Sequence, residues 1–249
     1  MNAPMESQPI IEVKDLVKRF GRFVANDHLT FDVQEGEIFG FLGANGAGKT
    51  TALRILCGLS KPTSGIVRIA GLDARSQSEK IKRSIGYMCQ RFALYEDLTV
   101  FENIQLYGGI YGLNPKEIRT RSAELLERLD IAEVRDRLIR SVPLGWRQKL
   151  AFSISVLHKP RIVFLDEPTG GVDPITRRQF WDLIFEAGRS GITVFVTTHY
   201  MDEAEYCDRV CILAGGRIEA LGRPEELKSR FGVDTMDEVF IRIARNGME

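Results

Sequence analysis

Apolar positions along this chain follow two rhythms. Short, nearly unbroken runs, Ile38-Phe39-Gly40-Phe41-Leu42, Ile162-Val163-Phe164-Leu165 and Thr193-Val194-Phe195-Val196-Thr197-Thr198, have the texture of strands covered on both faces of a parallel sheet. Ile10 to Val13 and Leu29 to Val33 also read as strands, with turn residues at Gly21 and at Gln34-Glu35-Gly36. After the predicted turn Lys61-Pro62-Thr63-Ser64-Gly65, Ile66 to Ala70 alternates in the manner of an antiparallel strand. Ser76 with Glu79 predicts a capped short helix, and Ile85 to Met88 the next strand.

From about residue 99 to 158 the rhythm is helical and no strand-like segment interrupts it. Thr99 with Glu102, and Asn114-Pro115 with Glu117, are helix starts; Ile118, Ser122, Leu125, Leu126 and Leu129 then recur at three or four, giving one buried stripe. Asp173-Pro174 starts another helix through Phe180, Trp181, Ile184 and Phe185, which Gly188 and Gly191 are expected to end. Val210 to Leu213 and Arg217 to Ala220 flank Gly215-Gly216 as a hairpin, followed by a short helix from Pro224 to Phe231. The pattern predicts an α/β fold: one domain over 1–249 with a mostly parallel core sheet, a small antiparallel sheet, a helical lobe inserted at about 99–158, and a short tail at 223–249.

Between the run ending at Leu42 and the helical spacing of Thr51 to Leu56 stands Gly43-Ala44-Asn45-Gly46-Ala47-Gly48-Lys49-Thr50-Thr51. The spacing G-x-x-x-x-G-K-T between strand and helix is that of a phosphate-binding loop. Gly43, Gly46 and Gly48 allow the tight turn. Backbone N–H groups along Asn45, Ala47 and Thr51 and the positive end of the following helix then face a polyphosphate. Lys49 is placed to reach the outer phosphates and Thr50 to bind Mg²⁺.

Composition narrows the partners. With 249 residues and 44% hydrophobic content the chain can fill a sizeable core. Lys plus Arg and Asp plus Glu both number 34, so there is no bulk basic field to bind nucleic acid by counterion release, and no nucleic-acid partner is implied. Cys57, Cys89, Cys207 and Cys211 form no C-x-x-C pair and are expected to be reduced packing residues suited to the cytoplasm. Met1 to Pro9 lacks the basic start and apolar core of a secretory signal, and no apolar run approaches the ~20 residues of a membrane span, so work at a membrane would need another chain to supply the span.

Hydrolysis of a bound nucleotide also needs an acid that orients the metal and a group that positions water. Asp166 and Glu167 end an apolar strand; Asp166 is expected to hold Mg²⁺ through water, and Glu167 to polarise the attacking water. His199 directly follows the next buried strand, where it can contact the terminal phosphate. Gln90, just past the strand ending at Met88, can ligate Mg²⁺ or water, and Phe20 beside Gly21 can stack on adenine.

Taken in order, these residues resemble the nucleotide-binding subunit of an ATP-binding-cassette (ABC) transporter from about Ile10 to Gly222. Phe20 matches the adenine-stacking aromatic, Gly43 to Thr51 the phosphate loop of this NTPase fold, Gln90 the Q-loop, Ile162 to Glu167 the aspartate–glutamate strand, Gly170 to Asp173 the D-loop and His199 the switch histidine. The resemblance implies Mg-dependent ATPase activity. It also implies two subunits, as homodimer or heterodimer, sandwiching two ATP molecules and driving an integral-membrane permease from the cytoplasmic face of the bacterial inner membrane.

One motif departs from the pattern. The signature Leu-Ser-Gly-Gly-x-x-Gln is Val142-Pro143-Leu144-Gly145-Trp146-Arg147-Gln148 here, so Pro143 offers neither hydroxyl nor N–H. Gly145 and Gln148 remain as the residues facing the partner's nucleotide, with the positive end of a helix expected from about Trp146 to Leu157. This form resembles the ATPases of bacterial type-two, drug-efflux-like ABC exporters. In the same resemblance Phe92 to Asp97 is the stretch on which the membrane subunit docks, although Phe92 and Tyr95 read equally as packing residues. The rival readings are a soluble, ribosome-associated ABC ATPase, against which the single cassette counts; a DNA-repair or chromosome ABC ATPase, whose inserted coiled coil is missing; and a regulatory subunit with weak hydrolysis.

Overall fold

The computed structural model describes residues 8–90 and 94–246. Six strands form the core sheet: β3 (Ile38–Gly43), β6 (Ile85–Met88), β7 (Ile162–Asp166), β8 (Thr193–Thr198), β9 (Arg209–Ala214) and β10 (Arg217–Gly222), in the order β10-β9-β3-β8-β7-β6. All neighbours run parallel except the β9–β10 hairpin. A second sheet, antiparallel and ordered β2-β1-β4-β5, comprises β1 (Ile11–Phe20), β2 (Phe23–Val33), β4 (Ser64–Ile69) and β5 (Leu72–Asp73).

The unbroken apolar runs are explained by burial on two faces. Phe39, Phe41, Phe164 and Phe195 enter one core, closed by Phe31 of the antiparallel sheet and by α1 (Lys49–Leu56). Their rings pack tightly, with Phe41–Phe195 centroids 5.2 Å apart and Phe39–Phe195 5.5 Å. Leu42, Val163, Leu165, Val194 and Val196 alternate to the opposite core. That core is built with α3 (Val100–Ile110), α4 (Pro115–Arg128), α5 (Leu144–Ser155) and α6 (Pro174–Arg189).

The helical lobe follows its sequence signals closely. Thr99 and Asn114 close capping boxes with Glu102 and Glu117, and the stripe from Ile118 to Leu129 is buried throughout. Asp173 caps α6 through the N–H groups of Ile175 and Thr176.

Four local expectations are corrected. Ser76 spends its hydroxyl on Asp73 at 2.8 Å, so α2 (Ser78–Ser84) begins later, with Gln77 at its cap and no side-chain capping bond. Ser64 and Gly65 belong to β4 rather than to the preceding turn. α6 runs through Gly188 to Arg189, stopping before Gly191, whose φ of 90° breaks the helix. Beyond α7 (Pro224–Phe231) the tail forms a further helix, α8 (Met236–Asn246), which buries Met236, Val239 and Ile243.

Candidate nucleotide site

Because β3, β6, β7 and β8 are parallel, their C-terminal ends share one edge of the sheet, and the phosphate loop, Gln90, the Asp166-Glu167 pair and His199 each lie at one of these ends, whereas Gly145 and Gln148 lie on α5. The loop after β3 passes through Gly46 (φ 83°) and Gly48 (φ 100°), both in the region that favours glycine. At Gly48 a side chain is also excluded sterically, since a Cβ there would sit 2.4 Å from the carbonyl oxygen of Ala25. Gly48 starts α1 with no side-chain cap, so the first-turn N–H groups of α1 have no side chain competing for them. Asn45, Gly46 and Thr50 are exposed, Thr51 is half-buried, and Gly43 and Ala47 are buried.

Lys49 is 4% exposed, its ammonium donating to the carbonyls of Gly43 (2.7 Å) and Ala44 (3.2 Å). Glu167 lies opposite, with Oε1 3.4 Å from Lys49 Nζ. Its other oxygen, Oε2, accepts from Gln90 Nε2 at 2.9 Å and lies 3.1 Å from His199 Nδ1, off the line of a hydrogen bond. Three elements that are far apart in sequence therefore converge on one carboxylate. The Glu167 backbone is held in the left-handed region (φ 48°), fixed by its N–H donating to the carbonyl and hydroxyl oxygens of Thr197, both at 3.1 Å.

Asp166 is buried, and burial pushes its carboxyl above the usual range against the hydrogen bond it accepts from the Thr197 hydroxyl at 2.8 Å. A divalent cation fits the donor set: the Thr50 hydroxyl, the Gln90 amide oxygen and the Asp166 carboxylate are all hard oxygen ligands. Among the described residues no group of three or more His, Cys, Asp or Glu is placed to hold a metal ion. A Mg²⁺ ion held by few protein oxygens plus substrate phosphates needs no such group.

Phe20 lies outside the core, 56% exposed at the end of β1, with the Lys18 ammonium 4.9 Å from its ring centroid. The helix bearing the altered signature starts at Leu144 rather than Trp146, with Pro143 at its cap and no side-chain capping bond. Gly145 abuts α6 so closely that a Cβ would meet Thr176 Cγ2 at 2.8 Å. Gln148 is set back from the surface: it is 1% exposed and donates to the Gly170 carbonyl at 3.3 Å, which ties the signature helix to the D-loop stretch of the same chain. Phe92 is outside the described residues, and Tyr95 is 55% exposed.

Sequence reasoning missed the groups behind these residues. Asn26, fully buried, donates to the Gly48 carbonyl at 3.1 Å and so supports the phosphate loop from β2. Thr197 holds both members of the Asp166-Glu167 pair. The only signal either carries in sequence is a polar residue inside a buried strand.

A phosphate loop at the end of a central strand, facing a buried aspartate–glutamate pair two strands over across β8, defines a nucleotide-binding phosphate-loop ATPase fold. The family model described as "ABC transporter" matches residues 26–170, more than half of the chain. Over 241 residues the chain is 44% identical to the "Probable multidrug ABC transporter ATP-binding protein YbhF" of Escherichia coli (strain K12), covering 95% of this chain and 42% of that protein. It thus spans less than half the length of that relative. It is 37% identical over 235 residues to the "Daunorubicin/doxorubicin resistance ATP-binding protein DrrA" of Streptomyces peucetius, covering 93% of this chain and 71% of that one. A solved structure titled as a dimeric, post-hydrolysis ATP-binding cassette, MJ0796 bound to ADP and Pi, superposes with a TM-score of 0.77 at 27% identity over 86% of this chain and 98% of that one. The chain belongs to the ABC transporter family.

Proposed function

We propose that this chain is the ATP-binding and ATP-hydrolysing subunit of an ABC transporter, powering export through a separate integral-membrane permease. The observation that carries the reading is the convergence of Lys49, Gln90 and His199 on the Glu167 carboxylate. Lys49 turns from the Gly43 carbonyl to the outer phosphates, and Glu167, released from Lys49, accepts a proton from the attacking water. His199 donates to the terminal phosphate and Phe20 stacks on adenine; Thr50, Gln90 and Asp166 would hold Mg²⁺, which would offset charge on the transferring phosphoryl group.

The chain acts as a dimer in this reading, with a second copy or a related subunit placing the N-terminus of its signature helix against the bound nucleotide. Pro143 removes two donors from that contact, and the N–H groups of Leu144 and Gly145 take over. The domain layout that accompanies the reading is one nucleotide-binding domain over 1–249, with its helical lobe at 99–158 and a C-terminal segment from 223. Among the described residues no helix is long and apolar enough to cross a membrane. In this reading the permease supplies the span and the chain sits at the cytoplasmic face of the inner membrane. The resistance and multidrug names of the relatives favour a drug-like cargo for the permease.

The reading is tested by tagging the Glu167→Gln protein, purifying it with ATP from detergent-solubilised cells of its source, and identifying what accompanies it. A polytopic membrane protein is the expected companion; ribosomes, or nothing from the membrane, would overturn the transporter reading. The uncapped, proline-started signature helix favours one second reading, a regulatory subunit with weak hydrolysis. Turnover that scales with the square of protein concentration at dilution supports the active homodimer, and nucleotide binding without turnover supports the regulatory subunit.

A further inference from the structure

Behind the Glu167 and His199 loops lies a second buried carboxylate. Glu203, in the 3₁₀ turn Met201–Tyr206, is 0% exposed, and its Oε1 accepts from the Thr169 hydroxyl at 2.6 Å. Thr169 is itself 1% exposed and follows Glu167 by two residues, in a tight turn where the Gly170 N–H donates to the Glu167 carbonyl at 3.2 Å. Glu203 follows His199 by four residues, on a segment whose Tyr200 ring lies 4.2 Å from the His199 ring. One hydrogen bond inside the protein therefore joins the loop that carries Glu167 to the loop that carries His199.

The third partner is Arg177 of α6. Its guanidinium packs over Tyr200 at 4.1 Å, reaches Asp202 at 3.3 Å, and stops 3.8 Å short of Glu203 Oε1. Glu203 Oε2 and Arg177 Nε are both buried without a hydrogen-bond partner. Buried polar atoms of folded proteins are ordinarily paired, and the unpaired Arg177 Nε has an acceptor within reach of a small shift. A closure of about 1 Å brings the 3.8 Å contact within hydrogen-bond range.

We propose that Glu203 is a positioning residue: through Thr169 and Arg177 it locks the Glu167 and His199 loops to the start of α6, and the slack contact to Arg177 tightens when the site is competent for hydrolysis. The proposal rests on the ATPase reading above. Glu203 touches no nucleotide in it and acts only through where it holds Glu167 and His199.

The test is steady-state hydrolysis of Mg-ATP by the full chain carrying Thr169→Val, Thr169→Ser, Glu203→Gln or both Thr169→Val and Glu203→Gln, with ADP affinity measured on each. Thr169→Val, which removes the hydroxyl at nearly constant shape, is expected to lower kcat about tenfold with KM and ADP affinity unchanged, and Thr169→Ser to restore it. Glu203→Gln keeps an acceptor for Thr169 but puts an uncharged amide opposite Arg177, so kcat falls less. The double variant is expected to be no worse than Thr169→Val alone, because without the Thr169 hydroxyl the contact of Glu203 with Arg177 no longer reaches the loop that carries Glu167. Wild-type kcat in Thr169→Val, or a loss that Thr169→Ser does not repair, overturns the clamp. Absence of turnover in the wild-type chain is the separate result that removes the ATPase reading itself.

Discussion

The ammonium of Lys49 lies 3.4 Å from the carboxylate of Glu167, and both side chains are at least nine-tenths buried. The cation of the phosphate loop and the carboxylate that follows β7 thus neutralise each other. In the proposed function, phosphate oxygens arriving at the loop would compete with Glu167 for Lys49, and their binding would release the carboxylate to meet water.

That competition has a measurable price. Glu167→Gln leaves Lys49 with neutral oxygens beside it, the Gly43 and Ala44 carbonyls and the new amide, a buried charge without its nearest counter-ion. The variant is expected to bind ADP roughly five- to tenfold tighter than wild type, about 1 kcal/mol or slightly more, and to melt lower than wild type until ADP is added. Titration calorimetry with ADP, which isolates binding from turnover, measures this directly; equal affinities would mean that the ion pair does not compete with phosphate.

Asn26 carries the support of the loop. Its amide donates to the Gly48 carbonyl from a fully buried position, and Asn26→Leu removes that donor while keeping the volume. The Gly48 carbonyl keeps the Ala52 N–H at 3.0 Å, so the change removes one of its two hydrogen bonds, worth about 0.5–1.5 kcal/mol, and ADP affinity is expected to fall about two- to tenfold in a protein that remains folded. Equilibrium ADP binding and circular dichroism on the same preparation check both halves of the expectation.

His158, at the junction of lobe and core, stacks on Tyr111 with ring centroids 3.9 Å apart. Burial pulls its pKa from 6.5 down to about 4, so the folded state holds the neutral ring and binds fewer protons than the unfolded chain between those values. Stability therefore falls as pH drops through the window from about 6.5 to about 4. His158→Phe keeps the stacked ring and removes the proton, so its melting temperature is expected to fall less than that of wild type between pH 7.5 and pH 5. Thermal melts of the two proteins at both values make the comparison.

Much of this site was legible because its chemistry is local in sequence. The loop from Gly43 to Thr51 states its own conformation in its glycines, and Asp166-Glu167 and His199 each follow an apolar run whose end the parallel sheet brings to one edge. The capping boxes at Thr99 and Asn114 were readable for the same reason, since both partners lie within one turn. Ser76 misled because its competing partner, Asp73, lies just upstream in β5 and offers a better acceptor than the helix start. What stayed hidden depends on contacts across the fold. Asn26 lies 22 residues from Gly48, and Glu203 lies 34 from Thr169; their roles exist only once β2 lies on the loop and the turn after β8 packs beneath the loop after β7. α8 was missed because its apolar positions acquire meaning from the surface they cover.

The measurement that bears most directly on the account is Mg-ATP turnover of Glu167→Gln beside wild type, at saturating nucleotide and at equal dimer concentration. If Glu167 takes the proton of the attacking water, kcat falls by roughly two to four orders of magnitude while nucleotide binding is kept. Turnover within twofold of wild type would contradict that role, and with it the reading of the Lys49, Gln90 and His199 convergence as a hydrolytic site.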